Sequence, residues 1–294
     1  MKRSTEDSYH KRIDRVIAYL SEQVDQSPSL DALADVAAIS PYHFHRVYRA
    51  VTGETPSMTV RRLRLTKACF LLRDTDKSVT DIAFEANYGS SQSFAKGFRA
   101  GTGLSPSEVR TTPGALDRII KELSLPPEKV SQETSNIEIK LMSLEPLGVV
   151  AARHLGPHKG LFESYGEFFA HAEKAGWVES FQGIYGIPID DPRDMDEDQC
   201  RFDCCFDFGP SIIADAPYRN ESLGGGMHAR LRHVGHYDGL EEKYDYLYGT
   251  WLASSEYRLR EAPLFNHYLQ DPDEVPPDEW ETDIFLPIEL DEQV

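Results

Sequence analysis

The sequence lacks long apolar runs and has few cysteines. No hydrophobic run approaches the roughly 18 residues of a membrane-spanning helix, and the first residues contain no signal-peptide core. The four cysteines include no pair at CxxC spacing, which disfavours a redox or zinc motif. These absences predict a cytoplasmic protein with no membrane partner, whose thiols are free and buried.

Motifs of common enzyme classes are also absent. The sequence has no phosphate-binding loop and no nucleophile–base spacing of the Ser/His/Asp kind. The three glycines at 224–226 are interpreted as a hairpin loop. His43 and His45 lie two positions apart on a predicted helix, so they face apart and make a poor metal pair. We expect no catalytic residue, metal site or cofactor.

Positive charge is scarce, and it is distributed unevenly. Lys and Arg total 31 against 49 Asp and Glu, a formal net charge of −18. Residues 1–112 hold 16 basic and 13 acidic residues and carry +3, whereas the remaining residues hold 15 and 36 and carry −21. Because an acidic surface repels phosphate, only the first part of the chain is suited to nucleic acid.

The stretch 78–110 predicts two short helices joined by a turn. The first has apolar residues at the spacing of one helix face, namely Val79, Ile82, Ala83 and Ala86. Residues 87–89 form the turn. Phe94 and Phe98 mark the buried face of the second helix, whose outer face is polar and basic. This is the plan of a helix-turn-helix, which places its second helix in a major groove of DNA.

The same pattern occurs earlier, at 30–56, so the motif is doubled. Pro56 opens a longer helix, to about Arg73, that joins the two motifs. Tandem motifs in one chain are not related by the axis of a homodimer. They therefore predict a non-palindromic DNA site with two short boxes.

From residue 137 the periodicity changes to that of strands. Residues 153–165 resemble 232–244, and 202–208 resemble 282–288, which indicates a duplicated unit of strand, turn, helix and two strands. A length of 294 residues agrees with two domains. The predicted organisation is an all-α double helix-turn-helix domain at 1–112, a proline-rich linker at 113–136 and an α+β domain of two βαββ-like repeats at 137–294.

Residues 9–110 resemble the AraC/XylS family of transcription regulators. The resemblance is carried by LADVAAISPYHFHRVYRAVTG, VRRLRLTKACFLL and DIAFEANYGSSQSFAKGFRAGTGLSPSEVR. Asn87 stands where the family usually has glycine, and asparagine tolerates left-handed backbone. The family implies base contacts from Tyr42, His45 and Arg46 in the first motif, and from Gln92, Ser93 and Lys96 in the second. For Arg49 and Arg99 we expect a phosphate contact or a solvated position.

Residues 137–290 resemble the GyrI-like, SOUL-type effector-binding domains, through EPLGVVAARHLGPHKGLFESYGEFF and LFNHYLQDPDEVPPDEWETDIFLPI. The resemblance implies a groove between the two halves that binds small amphipathic or cationic molecules. Many such domains carry a glutamate at the position of Asn266, so a cation would lack that fixed carboxylate. Aromatic candidates for ligand contact are Trp177, Tyr185, Tyr237 and Tyr244, and ordinary core packing is the alternative for each.

These patterns predict a sequence-specific DNA-binding transcription regulator, not an enzyme, controlled by a small amphipathic or hydrophobic effector. Its partners would be double-stranded DNA, the effector and, as a further candidate, RNA polymerase. Two alternatives stay open. One is a small-molecule hydrolase, because some stand-alone GyrI-like proteins resemble enzymes. The other is a protein that sequesters a ligand, or a basic partner, through the acidic domain.

Overall fold

Eight helices form the first part of the computed structural model, which describes residues 5–26, 28–124, 137–272 and 274–291. They are α1 (Thr5–Glu22), α2 (Leu30–Ala37), α3 (Pro41–Thr52), α4 (Pro56–Asp74), α5 (Val79–Glu85), α6 (Ser91–Thr102), α7 (Pro106–Thr111) and α8 (Ala115–Ser124). The pairs α2–α3 and α5–α6 are the two predicted helix-turn-helix motifs, and the 19-residue α4 joins them. Within the described ranges no helix is both long and apolar enough to cross a membrane.

Side chains before the helices explain where several of them begin. The hydroxyls of Ser29, Thr55, Ser78, Ser90 and Ser105 each accept a hydrogen bond from a backbone N–H of the first turn. Such a cap satisfies a donor that has no partner inside the helix. Prolines open α3, α4 and α7, where a missing N–H costs nothing.

The turn of the second motif confirms the expectation for Asn87. Its φ is 58°, in the left-handed region, which asparagine enters at a lower cost than most residues. Its side-chain amide also donates a hydrogen bond to the carbonyl of Asp25, 2.9 Å away. Asn87 therefore ties the second motif to the turn that follows α1.

The predicted linker begins with a helix that belongs to the first part. Ala115 and Ile119 of α8 lie in the same buried cluster as Phe94 and Phe98 of α6. The helix packs against α4 and α7. Residues 125–136, with the prolines at 126 and 127, lie outside the described residues.

The second part is built on antiparallel strands. Its elements are β1 (Ile139–Leu155), α9 (Leu161–Lys174), β2 (Gly183–Pro188), β3 (Arg201–Asp207), β4 (Arg219–Val234), α10 (Leu240–Tyr246), a π-helical turn (Leu247–Trp251), α11 (Leu252–Ser254), β5 (Tyr257–Leu259), β6 (Phe265–Tyr268) and β7 (Glu281–Leu290). The strand order is β4-β1-β3-β2-β6-β7-β5, and a further pairing of β4 with β7 closes six strands into a ring. The predicted fold class, an α+β domain after a helical one, is confirmed. The two halves are β1-α9-β2-β3 and β4-α10-β6-β7, and β5 is inserted in the second.

The interpretation of 224–226 as a hairpin loop is wrong. These glycines lie inside β4, where Gly224 pairs with Pro146 and Gly226 with Leu144 of β1. All three have positive φ, and a Cβ on Gly224 would lie 2.7 Å from the carbonyl oxygen of Glu145. A glycine run is typical of a turn, but here it permits a left-handed path within a paired strand.

The helical part and the sheet part share one buried apolar cluster. Its members include Tyr9, Ile13, Phe44 and Tyr48 from the helices, and Leu231, Tyr244, Leu247, Tyr248 and Ile284 from the second part. Helix α3 packs on α10 and the π-helical turn, and α1 packs on α11. One face of the first helix-turn-helix motif is therefore covered by the second domain.

Candidate DNA-reading helices and effector groove

The outer face of α6 is open to solvent. Phe94 and Phe98 are completely buried beneath it, and the four predicted DNA-contacting residues of this helix are exposed: Gln92, Ser93, Lys96 and Arg99. Ser93 also closes a capping box with Ser90 at the start of the helix. Arg99 lies 3.6 Å from the carboxylate of Glu108, an exposed pair that is worth little energetically.

The corresponding residues of α3 do not share an open face. Tyr42 is 45% exposed, but His45 and Arg46 are only 2% exposed, and Arg49 is partly covered. The reason is tertiary, because α3 presents this face to α10 of the second domain. In this arrangement His45 and Arg46 cannot reach a base edge, and their role in DNA contact stays a prediction.

Arg46 is held by two residues of α10. Its guanidinium carbon lies 4.4 Å from the centroid of the Tyr244 ring, within the range of a cation–π contact. Its Nη1 lies 3.4 Å from Oε2 of Glu241. Within the described part of the chain Nη2 of Arg46 is buried without a hydrogen-bond partner. The buried guanidinium is therefore neutralised but not fully hydrogen-bonded.

Three carboxylates of the second domain surround this contact, and we call Asp191, Glu241 and Asp245 the carboxylate cluster. Arg193 links them, with its guanidinium nitrogens 2.7 Å, 3.1 Å and 2.8 Å from their respective oxygens. The three carboxylates and the guanidinium of Arg193 together have a formal net charge of −2. Arg46 and Arg49 supply the two missing positive charges, the latter 3.7 Å from Asp245.

Two histidines of α3 are buried as neutral rings at the same interface. His43 accepts a hydrogen bond from the Tyr248 hydroxyl at 2.7 Å and donates one to the carbonyl of Arg260 at 3.1 Å. Burial lowers the pKa of His43 to about 4 and that of His45 to about 3. Neither ring nitrogen of His45 has a hydrogen-bond partner among the described residues. The α3 interface is thus suited to uncharged imidazoles.

A groove of about 660 Å³ lies between α9 and α10, and we call it the effector groove. Residues from both repeats line it, including Phe162, Tyr165, Tyr237, Tyr244 and Tyr268. Of the predicted ligand residues, Tyr237, Tyr244 and Asn266 therefore come together here. An aromatic wall of this kind suits an apolar or flat ligand.

The other two predicted ligand residues lie elsewhere. Trp177 packs beside Phe208 and His171, at the far end of α9. Tyr185 stacks on His267, with ring centroids 4.4 Å apart. Neither lines the effector groove, so the structure supports ordinary packing for both.

Asn266 contributes a directed polar group to the groove. Its side chain is completely buried, and its amide nitrogen donates a hydrogen bond to the Tyr244 hydroxyl at 2.7 Å. Its carbonyl oxygen has no partner within the described ranges. A buried acceptor without a donor is unfavourable, so this oxygen is suited to an N–H or O–H group of a ligand.

The sequence did not predict Phe162, Tyr165, Tyr268 or Glu241 as groove residues, and Glu241 is the charged one among these four. It lines the groove and precedes Tyr244 by three positions, on the same helix face. Burial raises the pKa of Glu241, and Arg46 and Arg193 oppose that rise. The internal repeat could have identified Glu241, because it aligns with Phe162 of the first half and both positions line the groove. The groove therefore has a carboxylate, supplied by α10 rather than by the strand of Asn266.

Two contacts between a nucleophile-type side chain and a histidine occur near the strand ends. The Ser164 hydroxyl lies 2.8 Å from Nδ1 of His154, outside the groove lining. Cys200 lies 3.7 Å from Nε2 of His158, but burial raises the pKa of its thiol to about 12. A thiol with that pKa is not a nucleophile near neutral pH. All four cysteines are free and buried, as expected, and the described residues contain no group of ligands that could hold a metal ion.

Comparison with known proteins assigns both parts. Residues 137–289, about half of the chain, match the family model of the GyrI-like small-molecule-binding domain. The chain belongs to the GyrI-like family. Residues 33–112 of this GyrI-like protein match a helix-turn-helix domain model, and the relatives of this region make it AraC-type.

Two curated relatives resemble the helical part of the GyrI-like protein. The HTH-type transcriptional activator RhaS of Enterobacter sp. (strain 638) is 40% identical over 99 residues, which cover 34% of this chain and 36% of RhaS. The regulatory protein SoxS of Escherichia coli (strain K12) is 34% identical over 103 residues, 35% of this chain and 96% of SoxS. The chain thus spans about a third of the length of RhaS and nearly all of SoxS.

Among solved structures, the DNA-binding domain of AdpA, determined in complex with a target DNA, is similar to the helical part. It is 28% identical, with a TM-score of 0.32, and the match covers 35% of this chain and 93% of that one.

Proposed function

We propose that the protein is an AraC-type, sequence-specific transcription regulator that binds DNA through its two helix-turn-helix motifs. The observation that carries this proposal is the outer face of α6, on which Gln92, Lys96 and Arg99 are exposed to solvent. Amide and cationic side chains on the second helix of such a motif are suited to base edges and phosphates. RNA polymerase is a further candidate partner in this proposal, since activators of transcription contact it.

We further propose that the effector groove binds a small amphipathic or hydrophobic effector. The aromatic lining and the unpartnered oxygen of Asn266 support this, because such pockets combine apolar walls with a few directed polar groups. The hydrolase alternative receives less support. The two nucleophile-type side chains next to histidines lie outside the groove lining, and the thiol of Cys200 is protonated at neutral pH.

Selection from randomised double-stranded DNA, using the full chain at two salt concentrations, tests the DNA proposal. We expect one enriched, non-palindromic sequence that contains two short boxes. Binding without sequence preference, with an affinity that falls steeply with salt, would reduce the interaction to general phosphate attraction. A thermal-shift screen of small aromatic compounds tests the groove, since a ligand that binds the folded chain raises its Tm.

A further inference from the structure

We propose that the carboxylate cluster is a docking site for the DNA-reading face of α3, and that docking and recognition of the first DNA box exclude each other. The inference rests on the proposed DNA-binding function and adds its regulation. In the docked form, which the structure shows, α6 is free to bind DNA and α3 is not. A two-box complex therefore requires that α3 leave the second domain.

Docking closes the DNA-reading face of α3 sterically. Arg46 and His45 are 2% exposed, and the ring of Tyr244 lies against the Arg46 guanidinium. A base pair cannot approach a side chain that is enclosed by another domain. The same atoms of Arg46 that would pair with a guanine edge are those that face Glu241.

Opposite charges also hold α3 on the second domain. The carboxylate cluster and Arg193 together carry a formal charge of −2, and α3 brings Arg46 and Arg49 to it. The carboxylate cluster is negatively charged, as DNA phosphates are, so both attract the basic face of α3. When α3 leaves, the uncovered cluster repels DNA. The second domain and the DNA compete for the same face of α3.

The docking site and the effector groove share two residues. Glu241 and Tyr244 line the groove and hold Arg46 at the same time. Nη2 of Arg46 is a buried donor without a partner within the described residues, so the docked arrangement is incomplete. A groove ligand that pairs with Glu241 leaves the buried guanidinium without its counter-charge, which is unfavourable. Such a ligand releases α3.

A disulfide lock tests the proposal directly. A Cβ placed on Gly249, in the π-helical turn, lies 3.5 Å from the Cβ of Ala50 on α3, a separation that suits a disulfide. We compare the full-length variant A50C/G249C, oxidised and reduced, on the selected two-box duplex and on a copy with the first box scrambled. Oxidation should lower affinity for the two-box duplex to that for the scrambled copy. Reduction should restore it, and the single variant A50C should not respond.

Charge variants give an independent measurement that needs no cross-link. Glu241→Gln removes the negative charge that faces Arg46 and should raise affinity for the two-box duplex by about 5- to 50-fold, with little change on the scrambled copy. Glu242→Gln is the matched control, because Glu242 is the exposed neighbour on the same helix and outside the groove lining. It removes the same charge and should change affinity by less than about 2-fold.

Three outcomes overturn the proposal. One is an oxidised A50C/G249C protein that still protects both boxes. Another is equal gain from Glu241→Gln and Glu242→Gln, which would reflect general repulsion of DNA by the acidic domain. The third is no gain from Glu241→Gln. If neither the wild type nor any variant prefers a DNA sequence, the proposed function itself fails, and the two failures are thus distinguishable.

Discussion

Arg46 and Tyr244 face each other across the two domains, with the guanidinium 4.4 Å from the ring centroid. One belongs to a helix predicted to read DNA, and the other lines a groove suited to a small effector. A change at either residue is therefore expected to affect both activities.

Lys96→Ala should weaken binding to the selected duplex by about 1–3 kcal/mol and relax the preference at one or two positions of the second box. Lys96 is exposed on α6, away from the docking site. Binding profiles over randomised duplexes measure the preference. Arg99→Ala is the comparison, since loss of a phosphate contact weakens all sequences alike and reduces the salt dependence. If Lys96→Ala lowers the affinity for all DNA sequences equally, Lys96 contacts a phosphate and not a base.

The DNA in a two-box complex should be bent. Helix α4 has 19 residues, or roughly 28 Å at about 1.5 Å per residue, whereas successive major grooves on one face lie about 34 Å apart. The bend costs on the order of 1–6 kcal/mol, which the base contacts of the second recognition helix can offset. Footprinting with a circular-permutation bend assay measures it. Straight DNA and a palindromic footprint that requires two chains would contradict the tandem arrangement.

A cationic ligand should bind the effector groove more tightly than its neutral isostere. Calorimetry with benzyltrimethylammonium and neopentylbenzene compares two molecules that differ by one charge. We expect a preference of about 1–2 kcal/mol for the cation, from Glu241 and the aromatic wall. Glu241→Gln should remove that preference, and Asn266→Glu should increase it. An unchanged preference in both variants would place the cation elsewhere.

The docked form should weaken as the pH falls. His43 and His45 have folded-state pKa values of about 4 and 3, below the usual 6.5, because burial disfavours the charged ring. The folded chain therefore has its full stability above about pH 6.5, where both rings are neutral. As the pH falls toward 4, the free energy of unfolding decreases by at most about 3 kcal/mol for each ring. Arg46 opposes protonation of both rings, whereas Asp190 and Asp191 favour it at His45.

Urea unfolding of the full chain between pH 4 and 7 measures this dependence. The variant His45→Gln should make the dependence shallower, since glutamine does not titrate in this range and His43 alone then contributes. A profile that is the same in wild type and variant would show that this ring does not control the interface.

Local sequence periodicity determined much of the protein. The buried faces of both helix-turn-helix motifs repeat every three to four residues, and the left-handed turn at Asn87 depends on one side chain. The two βαββ units were visible because a duplicated sequence folds into a duplicated structure. These features require information from only a few neighbouring residues.

The tertiary structure alone decided which DNA-reading helix is accessible. Arg46 and Glu241 are 195 positions apart, and no periodicity relates an arginine of one domain to a carboxylate of another. The glycines of β4 misled the sequence reading for the same reason, because their partners lie on β1. Helix α6 has the face that its sequence predicts. Helix α3 has an equivalent pattern, but the second domain covers it, because apolar side chains of α3 join a cluster shared by both domains and Arg46 meets the charge of Glu241.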